Sequence, residues 1–178
     1  MVKKIAIVTG ILIAGILIAA AFRPDEFRVS RSALLDAPPA VVFAHVNDFH
    51  AWRDWSPWAK LDPAAKETFD GAPSGAGAGF AWAGNKDVGE GQMKITESRP
   101  NEYIQIRLEF FKPFKGVNTT EFAFEAKGAQ TQVTWTMSGH NNYMAKVIGL
   151  VMNCEKMAGG QFEKGLANLE AVSKSGKA

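Results

Sequence analysis

The stretch that decides the fold runs from Glu102 to Ser138, EYIQIRLEFFKPFKGVNTTEFAFEAKGAQTQVTWTMS. In it Ile104, Ile106, Leu108 and Phe110 alternate with Gln105, Arg107 and Glu109. Phe122 and Phe124 then alternate with Glu121, Ala123 and Glu125, and Val133, Trp135 and Met137 with Gln132, Thr134, Thr136 and Ser138. Successive strand residues point to opposite faces, so this period of two predicts antiparallel strands with one buried and one wet face. Asn101 and Gly128 stand where the turns must fall.

Working upstream, Glu90–Arg99 (EGQMKITESR) and Gly79–Ala83 (GFAWA) read as hairpin-connected strands, with a short one at Lys66–Phe69 and a first strand at Glu26–Asp36. Proline fits a first helical turn but not a ladder, so Ala37-Pro38-Pro39 ends that strand and opens a helix to about Val46. Phe49–Trp58 (FHAWRDWSPW) reads as a second short helix stopped by Pro57. The Gly75-x-Gly77-x-Gly79 run precedes a strand instead of opening a helix, so it is no dinucleotide fingerprint. Downstream of Gly139 the apolar spacing lengthens to three to five residues, predicting a helix from Asn142 to Val172, bent or broken near Asn153 and Gly159-Gly160.

Composition narrows the function. The 178 residues carry 20 Lys+Arg against 18 Asp+Glu, a net charge of +2, which does not suit a nucleic-acid binder. One cysteine, Cys154, excludes an internal disulfide framework, and His45, His50 and His140 have no metal-ligand spacing. No nucleophile elbow, P-loop or paired-carboxylate signature is present. We therefore expect no catalytic constellation, no metal and no cofactor.

Ile5–Phe22, IAIVTGILIAGILIAAAF, carries no charge, and its ten Ile, Leu, Val and Phe residues contribute roughly −3 to −6 kcal/mol toward insertion. This predicts a single-pass N-terminal anchor within residues 1–25, a domain over 26–173 and a tail at 174–178. Lys3 and Lys4 ahead of the run place the domain on the extracytoplasmic side, although Ala19–Ala21 also fit a cleaved signal peptide.

A strand, two short helices, a six-stranded meander and a long C-terminal helix is the order of the helix-grip fold. VSRSALLDAPPAVVFAHVNDFHAWRDWSPW, GEGQMKITESRPNEYIQIRLEFFKPF, TTEFAFEAKGAQTQVTWTMSG and KMAGGQFEKGLANLE resemble the START-like (SRPBCC) superfamily, in particular its polyketide cyclase/dehydrase and lipid transport group. The resemblance spans about Phe27 to Ala171. It implies an α+β helix-grip fold, a curved antiparallel sheet wrapped around a long C-terminal helix, here preceded by a transmembrane helix. It also implies a cavity between sheet and helix for a lipid or other hydrophobic small molecule.

The inward positions expected to line that cavity are Phe80, Trp82, Met93, Ile95, Ile104, Ile106, Leu108, Phe110, Phe122, Phe124, Trp135 and Met137, with Val151, Met157 and Phe162 from the helix. Rings and methionines suit an apolar guest, and would equally form a solid core. Trp52, Trp55 and Trp58 are either a cavity rim or a plug packing the short helix on the sheet. The alternatives to a binder are an enzyme of the cyclase/dehydratase type and a co-chaperone-like interaction domain.

Overall fold

A computed structural model describes residues 2–151 and 153–175. Helix α1 (Val2–Ala21) leads to strand β1 (Glu26–Leu35), helix α2 (Pro39–Asn47), a 3-10 turn (Phe49–Ala51) and the short helix α3 (Trp52–Trp55). Strands β2 (Lys66–Gly71), β3 (Ala78–Ala83), β4 (Glu90–Arg99), β5 (Tyr103–Lys112), β6 (Gly116–Lys127) and β7 (Gln130–His140) follow, then helices α4 (Tyr143–Val151) and α5 (Cys154–Lys174).

The strands form one seven-stranded antiparallel sheet in the order β1-β7-β6-β5-β4-β3-β2. Each consecutive pair after β1 is a hairpin, and β1 closes against the last strand, so α2 and α3 are inserted between the two edges. A register shift between Ile95 and Glu97 places a bulge in β4, which bends the strand and deepens the concave face. The alternation read from Glu102–Ser138 is realised in the ladders: Ile104 pairs with Phe122 and Phe122 with Trp135. All three are buried on the face that α5 covers.

The long C-terminal helix divides at Asn153, whose side chain accepts from Lys156 N at 2.9 Å and caps α5. It runs unbroken through Gly159-Gly160, and the Arg31 guanidinium packs against Gly159, where a Cβ would make it shift. Arg31 lies on the inner face of β1 and joins Glu155 at 2.9 Å and Glu163 at 2.6 Å, fastening α5 to the sheet edge.

The expected membrane anchor is corrected. Among the described residues no helix is long and apolar enough to cross a membrane. Lys3 and Lys4 lie within α1 and the helix stops at Ala21, so its uncharged part covers only about 26 Å against the ~30 Å of a hydrocarbon core. The last turns are also bound to the domain. Ala20 is buried, Tyr143 Oη donates to Leu17 O at 2.8 Å, and Arg23 donates to the Gly149 carbonyl of α4. The rest of α1 leaves Ile7, Ile11 and Leu12 exposed. The extracytoplasmic placement, which rested on the anchor, falls with it.

Candidate functional site

The ladder register arranges the concave face in rows running across the strands. One row is Phe80, Met93, Leu108, Asn118, Gly139 and Phe27; the next holds Ile95, Ile106, Thr120, Met137 and Val29; the third holds Ile104, Phe122, Trp135 and Arg31. Trp82, Gly91, Phe110 and Gly116 form a further row beyond the first.

The third row is the floor of a packed half. Trp52, Trp55, Trp135, Phe122 and Phe162 meet ring to ring, with Trp135 stacked on Phe162 at 4.3 Å and 6° and tilted on Phe122 at 4.8 Å. Trp55 meets Trp135 edge to face at 5.7 Å. Trp52 Nε1 donates to Val46 O and Trp55 Nε1 to His45 O, both at 3.0 Å, so each indole is locked to the end of α2. Trp55 is 0% exposed and Trp52 also buried, which puts both in the core as a plug and not at a rim; Trp58 is partly buried at its edge. Phe124, Ile104, Ile106 and Ile95 complete this half.

The first rows form an open half. Phe80, Trp82, Phe110, Met137 and Phe27 face inward but remain partly exposed. Phe69, Phe80, Trp82 and Phe110 make a continuous aromatic wall, with successive centroids 5.2, 6.0 and 5.9 Å apart. Three glycines, Gly91, Gly116 and Gly139, sit at inward positions of this half, and no atom lies within 4 Å of a Cβ built on Gly116. Between the ends of β1, β6 and β7 lies a cleft of about 290 Å³ lined by residues of both registers, Phe27, Asn118 and Gly139 with Glu26, Val117, Thr119, Ser138 and His140. A Cβ on Gly139 would run into Asn118 Oδ1 and Phe27, so the bare backbone there is what admits the Asn118 amide.

Met93 and Leu108 are buried where the two halves join. Of the helix residues, Phe162 packs on Trp135, Met157 points outward at 58% exposure, and the side chain of Val151 lies outside the described residues. Phe27 and Asn118 were not singled out from sequence. Phe27 does follow the β1 alternation, but Arg31 at an inward position disguises it.

The titratable groups near the face are few. His45 is buried at 4% exposure, and burial holds its imidazole below the usual histidine pKa, against a smaller opposing pull from Asp54. His140 ends β7. His50 is exposed; its Nδ1 lies 2.8 Å from Asp48 Oδ1 and its ring stacks on Phe69 at 4.1 Å. Glu67, inward on edge strand β2, is paired with Arg53 at 2.6 Å.

The family model described as polyketide cyclase / dehydrase and lipid transport matches residues 26–174. This chain belongs to that family. Solved structures share the START/Bet v1-like fold. A structural-genomics protein of Mesorhizobium loti is 14% identical with a TM-score of 0.62, covering 85% of this chain and 100% of its own. The Aha1 dimer of Colwellia psychrerythraea gives 16% identity and a TM-score of 0.61, over 85% and 99%. Ara h 8.0201 gives 14% and 0.55, over 84% and 99%. At these identities the likeness concerns the fold alone. No curated protein matches the sequence.

Proposed function

We propose that the domain binds a lipid or other hydrophobic small molecule against the open half of the concave face. One observation carries the reading: Phe80, Trp82, Phe110 and Met137 point inward, as core residues do, yet stay partly exposed. Apolar surface left uncovered inside a concavity costs about 25 cal/mol per Å² relative to a covered state, and an apolar guest covers it. Rings supply flat contact and Met93 and Met137 adjustable contact. The family's lipid-transport description agrees with this chemistry. Native mass spectrometry of protein purified under mild conditions tests it: we expect a mass excess that organic extraction removes, and a protein that always flies at its sequence mass contradicts it.

A second reading, an enzyme of the cyclase/dehydratase type, is favoured by the Asp48–His50 pair. With Nδ1 held by the carboxylate, Nε2 is the basic nitrogen, and the ring is stacked on the aromatic wall through Phe69. Extraction from wild type and from His50→Gln separates the readings. A guest whose mass differs between the two marks conversion, and an identical guest leaves binding alone.

A further inference from the structure

A polar side chain at an inward position of the sheet needs a partner to replace its lost water. Most such groups on the concave face have one inside the protein. Thr131 Oγ1 donates to Ala37 O and Ser98 Oγ to Asn47 Oδ1, both at 2.7 Å. Arg31 meets Glu155 and Glu163, and Glu67 meets Arg53. Thr120, inward on β6 between Ile106 and Met137, is 4% exposed. Asn118, the preceding inward residue of β6, stands apart: it is only half-buried, and its amide makes no hydrogen bond among the described residues.

This amide lies at the open half and within reach of solvent. Its Oδ1 leans over the bare backbone of Gly139, beside Phe27, where a Cβ on Gly139 would displace it. On its other side along β6 the inward position is Gly116, with no atom within 4 Å of a built Cβ. Asn118 also lines the cleft of about 290 Å³ at this end of the sheet. An amide offers one acceptor oxygen and two N–H donors. A wholly apolar guest laid against Phe27, Phe110 and Met137 would strip water from these groups and leave them unpaired. That penalty exceeds the net gain of a typical hydrogen bond, so the guest that fits best brings a partner for the amide.

On the binding reading above, we infer that the guest carries an uncharged polar head, a hydroxyl or a carboxamide, on its apolar body, and that Asn118 recognises this head. Oδ1 accepts from the head's O–H or N–H, and Nδ2 donates to its oxygen. An ionised head does not fit. Arg31 and Glu67, the charged groups of the inner face, already hold their counter-charges, and a desolvated carboxylate or ammonium would find none.

The test uses two probes of one shape, 2-naphthol, which is uncharged at neutral pH, and 2-methylnaphthalene. Both are titrated into wild type and into Asn118→Leu, which keeps the bulk of the side chain and removes its polar atoms. The affinity ratio of naphthol to methylnaphthalene should fall about fivefold in the variant. In wild type, naphthol should also move the side-chain NH₂ resonances of Asn118 further than methylnaphthalene does, a readout independent of how the variant folds. An unchanged ratio in a folded Asn118→Leu overturns the role of Asn118 while leaving the binding reading standing. So do NH₂ resonances that respond to both probes alike. Uptake of neither probe removes the binding reading, and the role of Asn118 with it.

Discussion

Two halves of the same face of the same sheet behave differently. Ile104, Phe122 and Trp135 are buried beneath Trp55 and Phe162, whereas Phe80, Phe110 and Met137 are inward and only partly covered. Their side chains are equally apolar, so composition does not separate them. What separates them is the second layer. The plug of α2 and α3, locked by indole bonds to the Val46 and His45 carbonyls, and the later turns of α5 with Phe162, Leu166 and Leu169, lie over one half of the face. Beyond Arg31 the helix gives way at Asn153 to α4, which packs on α1. The sheet face is thus solid where the plug reaches and open where it stops.

The sharpest way to break the comparison is to delete one large ring from each half. Trp55→Ala should cost about 3–5 kcal/mol in urea unfolding, as it opens a cavity and leaves the His45 carbonyl without its donor. Gly165→Ala comes next. Its Cβ would press on Trp135 and Pro57, and overpacking of this kind should cost about 1–3 kcal/mol. Phe110→Ala, in the open half, should cost only about 1–1.5 kcal/mol while weakening uptake of an apolar probe. If Phe110→Ala proves as costly as Trp55→Ala, the division into two halves is wrong.

The smallest effect is a pH dependence belonging to the packed half. Burial depresses the pKa of His45, so the unfolded chain takes up a proton at a higher pH than the folded one. Stability from this group is complete above the unfolded value of about 6.5 and is lost as pH falls from there toward the folded pKa. The melting temperature should drop between pH 7.5 and 5.5, and less so in His45→Phe. An identical drop in both proteins would assign the effect elsewhere.

Most of the sheet was legible because strand alternation is a local signal: Glu90–Arg99 has the same bounds in sequence and structure, and the inward residues of β5, β6 and β7 follow their period. What escaped depended on distant partners. Arg31 interrupts the apolar side of β1, and only Glu155, Glu163 and the bare backbone of Gly159 explain it. Helix α5 also runs unbroken through Gly159-Gly160, where two glycines suggested a break. His45 is buried by the plug folding back over α2, which no spacing foretells. The N-terminal helix was misjudged because hydropathy counts residues, whereas the helix ends at Ala21 with its last turns fastened to α4. Of the expected inward set, the strand residues follow the ladder register, whereas Met157 points outward; which part of the face lies open depends on where a second layer ends.

The most direct test of this division is a methyl spectrum of protein labelled at methionine and isoleucine, recorded while naphthalene is added. Resonances of Met93 and Met137 should shift in a saturable manner while Ile104 and Ile106 hold still. Shifts shared equally by all four, or absent from both methionines, would contradict a face that is filled at one end and ready for a guest at the other.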